Sequence, residues 1–205
     1  MMQSRVWATT MRIPGIGALV ALVCLAGCAH PMSVRPDIDR PAVVNQAGLI
    51  PKAVGLYISD ENRNRQVTTA GGGGDKVSYR PYADVEAGLY KVLGSVFQDV
   101  EVLKSMSDVG TIAKHSVVYV AAPEITTTSS STGVFTWPAT DFTISVTCKI
   151  TDVAGRPVTS VSATGTGHAD WSDLKHNFSL AGQRASNDAL DKLQTALQQS
   201  AELRK

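Results

Sequence analysis

The sequence predicts an α+β domain in which two helices pack on one face of a mostly antiparallel sheet. Three segments support this prediction. Residues 141–152 alternate strictly between apolar and polar side chains, as a half-buried strand does. Residues 82–97, and a stretch that ends near residue 203, repeat their apolar side chains every three or four positions, as amphipathic helices do. Helices on one face of a sheet bury all of these apolar surfaces.

The predicted elements follow one another as β, β, α, β, then three β, then α. The strands are predicted at 53–58, 76–82, 100–104, 116–125, 141–152 and 158–168. The first helix presents Val85, Leu89, Val92 and Val96 on one face, and the second presents Leu190, Leu193, Leu197 and Ala201. Ser186 or Asn187 is the expected N-cap of the second helix. A polar, glycine-rich segment at 59–76 is predicted to be a flexible loop, 108–114 a helical turn, and 152–157 a hairpin turn.

The strand at 141–152 predicts the role of Cys148. Phe142, Ile144, Val146, Cys148 and Ile150 share one face of this strand. Cys148 is therefore expected to be a small buried apolar residue, and we do not interpret it as a nucleophile.

The first 27 residues are typical of an export signal. Arg5 and Arg12 precede an apolar run at 16–25, and no acidic residue occurs before Asp37. The run is too short to span a membrane, which takes about 20 apolar residues. It ends in Leu-Ala-Gly-Cys at 25–28, which resembles the lipobox of bacterial lipoproteins. The resemblance implies cleavage before Cys28 and acylation of its sulfur and its new amino group. The alternative is that Cys28 is an unmodified cysteine of an apolar segment.

These features divide the chain into three parts. Residues 1–27 are the predicted signal peptide, 28–51 an acylated cysteine followed by a flexible, proline-rich tether, and 52–205 the α+β domain. For the second half of the tether, the alternative is that Val43 and Val44 pack on the domain. Residue 29 is Ala rather than Asp, which by the sorting rule of enteric-type bacteria implies the periplasmic face of the outer membrane.

Composition excludes some partners. The chain from residue 28 onward has 17 basic and 18 acidic residues, and the charges are scattered. Without a basic excess to neutralise phosphates, nucleic acid is not an expected partner. The membrane is the expected partner through the lipid on Cys28, and other envelope proteins are expected partners of the domain.

The sequence contains no recognised catalytic or cofactor-binding motif. The four glycines at 71–74 lack the Gly-Lys-Ser/Thr ending of a phosphate-binding loop. His168, Asp170, Asp173 and His176 are residue types that bind zinc, but their spacing matches no standard site. We therefore expect no enzymatic activity, no metal and no cofactor. The alternative is a metal-dependent hydrolase that uses the cluster at 168–176.

The segment 125–142 is the strongest candidate for a partner-binding loop. It links two predicted strands and contains Val134, Phe135 and Trp137. Exposed aromatic side chains on a loop are frequent interface residues. The alternative is that the strands extend and Phe135 and Trp137 cover the core.

The order of elements resembles small α/β-sandwich lipoproteins of Gram-negative bacteria. The chain is most similar to the YajG-like lipoproteins, and more loosely to the lipopolysaccharide-assembly lipoprotein and to periplasmic domains of the curli-secretion type. The matching features are the lipobox, the strand AVGLYISDE, the helix ending KVLGSVFQDV, the strand pair around ITDVAGRPV and the helix SNDALDKLQTALQQ. The resemblance implies a non-enzymatic binding or scaffolding role in envelope assembly or transport. The alternative function is binding of a lipid or small amphiphile in a cavity lined by Val85, Leu89, Ile144 and Val146.

Overall fold

A computed structural model describes residues 29–40, 43, 48–132 and 138–205. The strands are β1 (Ala29–Pro31), β2 (Ile50–Tyr57), β3 (Val67–Ala70), β4 (Lys76–Tyr79), β5 (Phe97–Leu103), β6 (Val117–Ser130), β7 (Asp141–Asp152) and β8 (Pro157–His168). The α-helices are α1 (Asp60–Asn64), α2 (Pro81–Gly94), α3 (Val109–Lys114), α4 (Trp171–Leu174) and α5 (Leu180–Gln198), and a short 3-10 helix follows at Glu202–Arg204. No helix in these described ranges is both long enough and apolar enough to span a membrane.

The main sheet has five strands in the order β5-β2-β6-β7-β8. The predicted α+β class is confirmed. The three long strands β6, β7 and β8 pair antiparallel, as expected. The sheet is nevertheless mixed, because β2 runs parallel to both β5 and β6. In both parallel pairs a helix lies on the connection between the strands, and such a crossover makes parallel pairing possible.

The two long helices α2 and α5 pack on one face of this sheet, as predicted. The core between the sheet and the two helices contains the apolar face of β7 and the apolar stripes of both helices. Helix α5 approaches β8 very closely, because β8 has glycines at 165 and 167 opposite the backbone of α5. A Cβ atom on Gly165 would lie 2.2 Å from the carbonyl oxygen of Ala185.

Strand β8 is an edge strand, and side chains of α5 bond to its outward backbone groups at Thr164 and Thr166. The carboxylate of Asp188 accepts a hydrogen bond from the Thr166 amide at 3.0 Å, and the Lys192 ammonium donates to the Thr164 carbonyl at 3.1 Å. Such cover removes an exposed template for pairing with another strand. Helix α5 therefore covers the C-terminal part of this edge of the main sheet.

A second, smaller sheet has the order β1-β4-β3 and contains the first described residues of the chain. Strand β1 runs parallel to β4, with Ala29 opposite Lys76. From β1 the chain continues across the helices, and Val34 is completely buried. The flexible tether predicted for 28–51 is therefore wrong for residues 29–40, which fold onto the domain. The prolines there fit this extended path, since they disfavour helix but not extended backbone.

Two further predictions need correction. The segment 59–76 contains α1 and β3 instead of a continuous flexible loop. Helix α1 is held by the N-cap Ser59, whose hydroxyl accepts from the Asn62 amide, and by an ion pair between Arg63 and Glu86 of α2.

The second correction concerns the start of α5, which begins at Leu180 and not after Ser186 or Asn187. Its first two turns contain Ala181, Gly182 and Ala185, of which Ala181 and Ala185 face β8. Such small side chains produce no visible apolar stripe in the sequence, so periodicity did not reveal these turns.

Candidate functional site

The N-terminal strap, which we define as residues 29–40, comes directly after the predicted lipid-attachment residue, Cys28, and is bonded to both long helices. It crosses helices α2 and α5. The Val34 amide donates to the carboxylate of Asp84 in α2 at 2.8 Å, and the Asp37 amide donates to the Asn187 side chain in α5 at 3.0 Å. Both helices therefore hold the backbone of the strap, and satisfied backbone groups stabilise an irregular segment.

The strap also fits into two gaps in the helices. A Cβ on Gly88 of α2 would lie 2.8 Å from Pro36, and a Cβ on Gly182 of α5 would lie 2.8 Å from Val34. The Ser186 hydroxyl, which is completely buried, donates to the Val34 carbonyl. Sequence reasoning missed these positions. The only signal was the presence of glycines inside two helices, where glycine is unfavourable unless close packing requires it.

Charged side chains fix the end of the strap. Arg40 pairs with Asp191 of α5, and the Lys91 ammonium of α2 donates to the carbonyls of Ile38 and Arg40 at 2.6 and 2.7 Å. A cavity of about 30 Å³ remains between the strap and the helices, lined in part by Pro36 and Leu190. This volume admits about one water molecule and is far below that of a ligand pocket.

The start of the strap lies beside the glycine-rich turn. Because Ala29 is opposite Lys76, it is adjacent to the turn 71–75 that joins β3 to β4. The turn is closed by a hydrogen bond from the Gly71 amide to the Asp75 carbonyl at 2.9 Å. Gly73 and Gly74 have φ angles of +64° and +88°, which glycine adopts without strain. The run of four glycines is therefore the tip of a hairpin.

The predicted lipid-attachment residue Cys28 lies outside the described residues, and so do Val134, Phe135 and Trp137. The structure does describe the two strand ends that flank this segment. Ser130 is opposite Asp141 in the β6–β7 pair, and the Thr132 amide donates to the Thr140 hydroxyl at 3.2 Å. Strand β6 thus extends five residues beyond its predicted end at residue 125, as the alternative expects, while Phe135 and Trp137 themselves lie outside the described residues.

The predicted histidine–carboxylate group is only partly brought together. The His168 ring nitrogens lie 2.7 Å from an Asp141 oxygen and 3.2 Å from an Asp170 oxygen. These hydrogen bonds, first with Asp141 and then with Asp170, raise the pKa of His168. Asp173 instead pairs with Arg184, and His176 is an exposed turn residue. Among the described residues, no three His, Cys, Asp or Glu side chains are placed to hold a metal ion.

The residues proposed to line an amphiphile cavity lie in the close-packed core. Val85, Leu89, Ile144 and Val146 are each at most 1% exposed. Their environment is a contiguous cluster of buried apolar side chains from the sheet and both helices. Such packing leaves little room for a lipid chain.

Cys148 is buried on the helix-facing side of β7, as predicted. Desolvation raises the pKa of its thiol to about 12. The nucleophilic thiolate is therefore almost absent at neutral pH, which confirms the interpretation of this residue as part of the core.

The opposite face of β6, β7 and β8 presents hydroxyl groups. Ser145 and Thr164 lie side by side with their oxygens 2.8 Å apart, and Thr147 and Ser162 do so at 2.9 Å. These pairs are cross-strand contacts between directly opposite residues. The face is thus polar, which explains the alternation of β7 in the sequence.

No protein-family model matches the chain, and a search of curated proteins finds no match. Among solved structures, the chain is similar to a minor lipoprotein from Acinetobacter baumannii, with 14% identity and a TM-score of 0.44, over 73% of this chain and 94% of that one. It is also similar to PelC from Paraburkholderia phytofirmans, crystallised as a dodecamer, with 17% identity and a TM-score of 0.39, over 75% and 93% of the two chains. A third similar structure is a Xanthomonas campestris protein of the DUF330 family, with 12% identity and a TM-score of 0.37, over 83% and 93%. At these TM-scores the likeness is a general one.

Proposed function

We propose that this chain is a bacterial lipoprotein, attached through acyl chains on Cys28 to the periplasmic face of the outer membrane. In this proposal the domain is a non-enzymatic binding or scaffolding component of the cell envelope. The observation that supports it is the Leu-Ala-Gly-Cys sequence at 25–28 after a basic start and a short apolar run.

Lipid attachment would supply the membrane anchor that the short apolar run at 16–25 cannot supply. One myristoyl chain gives only marginal membrane binding, and stable anchoring takes a second signal. Lipoproteins of this kind carry three acyl chains, so release from the membrane is slow. The domain would then act by contact, since its core is packed and Cys148 is inert.

Intact-mass measurement of the detergent-extracted protein tests the anchor. The expected product is residues 28–205 with three acyl chains, recovered with the membranes. Cys28→Ser should abolish the added mass and leave the precursor uncleaved. Cys24→Ser is the matched control, because it removes a cysteine from the same apolar segment and should change neither mass nor location. An unmodified residue 28 in the wild-type protein, or its recovery in the cytosol, refutes the proposal.

The outer-membrane address is tested by the residue after the cysteine. Ala29→Asp should move the protein to the inner membrane in an enteric-type host, as measured on a sucrose gradient. Ala29→Ser is the control and should leave it in the outer membrane. Circular dichroism of both variants checks that the overall secondary structure is retained.

The binding role is tested by crosslinking in intact cells, followed by identification of the crosslinked proteins. We expect a specific set of envelope proteins, and we expect Phe135→Ala and Trp137→Ala to reduce their yield. Thr136→Ala, in the same loop, is the control. If the wild-type protein gives no partner above background, the binding role is wrong even though the anchor can still be correct.

A further inference from the structure

The fold begins without a spacer after the predicted anchor. Cys28 and Ala29 are joined by one peptide bond, so their Cα atoms are about 3.8 Å apart. Ala29 is already in β1, paired with Lys76. The acyl chains would therefore leave the protein directly at the edge of the small sheet.

Strand β1 is held in place by contacts of the strap residues that come after it. The Met32 amide donates to the Ser78 carbonyl at 2.9 Å, and the Ser33 amide donates to the Ser179 hydroxyl at 3.1 Å. Val34 is then completely buried against the helices. The strap cannot act as a flexible linker unless these contacts break.

Several parts of the fold meet at this end of the molecule. His30 lies 3.6 Å from Asp75 in the glycine turn, and the Ser129 hydroxyl at the end of β6 donates to the Ala70 carbonyl at 2.5 Å. The anchor end, which we define as Ala29, His30, the turn 71–75 and Lys76, is thus a continuous surface. Strand β7 starts near this end and runs 12 residues away from it, so the β7–β8 turn at Val153 is about 40 Å distant.

We propose that the anchor end lies against the phospholipid headgroups of the membrane that holds the acyl chains of Cys28, which fixes the orientation of the domain. This inference rests on the proposed lipid attachment. It assigns a role to the run of glycines: Gly73 and Gly74 present bare backbone, and a Cβ on Gly74 would meet nothing within 4 Å. A tip without side chains allows the backbone to approach a surface closely. Lys76 and the neighbouring Asp75 are both exposed and carry opposite charges, a combination that suits zwitterionic headgroups.

Depth-dependent fluorescence quenching tests the orientation. The acylated protein with Lys76→Cys, or with Val153→Cys as the control far from the anchor end, is labelled with a small fluorophore. Both positions are exposed, whereas Cys148 is buried and does not compete for label. Each protein is reconstituted into phosphatidylethanolamine–phosphatidylglycerol vesicles that contain a lipid with a headgroup nitroxide.

We expect the label at 76 to be quenched by at least about twofold and the label at 153 to be unaffected, given the roughly 40 Å between them. A ten-residue Gly-Ser spacer inserted between Cys28 and Ala29 adds a mean reach of about 17 Å and should relieve the quenching at 76. Equal quenching at the two positions, or no effect of the spacer, overturns the inference.

Failure of the anchor itself is distinguishable. Vesicle flotation and intact mass are measured on every sample before quenching. Protein that is acylated and floats, but shows no quenching at 76, refutes the orientation and leaves the proposed function intact. Protein that is not acylated and does not float refutes both.

Discussion

Gly167→Ala should disrupt the packing of α5 on β8, although it adds only one methyl group. The new Cβ would lie 2.1 Å from the Ala181 carbonyl oxygen and 2.4 Å from the Ala185 amide nitrogen. Both atoms belong to the helix backbone, so rotation of a side chain cannot relieve the clash. Helix α5 would have to move by more than about 1 Å to restore ordinary contact, and it would lose packing along β8.

The magnitude follows from the cost of overpacking. Extra methylene groups in a packed core cost about 1–3 kcal/mol, and the cost is higher when the obstacle is backbone. We therefore expect Gly167→Ala to lower the free energy of unfolding by about 3 kcal/mol or more. For a domain of this size that loss corresponds to a fall in Tm of roughly 6–12 °C. Urea unfolding followed by circular dichroism measures the free energy, and a thermal scan measures Tm.

Gly94→Ala is the matched control, since it makes the same chemical change at the end of α2. A Cβ there would lie 3.9 Å from Val100, which is ordinary contact. Alanine is the better helix former by up to about 1 kcal/mol, so the control should be neutral or stabilising. If Gly167→Ala and Gly94→Ala have the same Tm, the inference that α5 approaches β8 too closely to admit a Cβ atom at residue 167 is refuted.

Three further predictions concern the strap, a titrating group and the buried thiol. Val34→Ala should cost about 2–3 kcal/mol in urea unfolding, because it removes two buried methyl groups and leaves a cavity, whereas Val153→Ala, at an exposed turn, should cost less than about 0.5 kcal/mol. Because the folded-state pKa of His168 is raised, its protonated form stabilises the fold fully below about pH 6.5, and this contribution is lost as the pH rises through the raised value. In a plot of Tm against pH, His168→Gln should remove the corresponding decrease in Tm. An NMR titration in which His168 has an ordinary or lowered pKa contradicts this prediction. Cys148 should resist a maleimide at about pH 8 and react only on unfolding in urea, since its pKa is raised to about 12; rapid modification of the native protein contradicts the burial.

Several elements could be predicted from the sequence because their signals are local. The alternation of residues 141–152 predicts strand β7 where the structure has it, because strict alternation is a property of one segment that faces a core on one side and water on the other. The same pattern placed Cys148 in the core. The apolar stripe of α2 predicts a helix at 82–97, and this range differs from the observed Pro81–Gly94 only at the ends.

Other elements could not be predicted because their stability depends on distant residues. Ser186 and Asn187 are typical capping residues, yet they lie inside α5 and bond to the strap. The strap itself has the composition of a linker. Its partner at Ser33, the hydroxyl of Ser179, is 146 residues away in the sequence, and no local pattern reports such a contact.

The sequence by itself determined the alternating strand, the two amphipathic helices and the prediction of an acylated Cys28, because each depends on residues within one short window. Only the tertiary structure decided that β2 pairs parallel with both of its neighbours and that residues 29–40 belong to the domain. It also decided that the four glycines form a hairpin tip beside Ala29. These features depend on which surfaces meet after folding, and the free energy of burying Val34 or seating α5 on glycines exists only once both partners are in place.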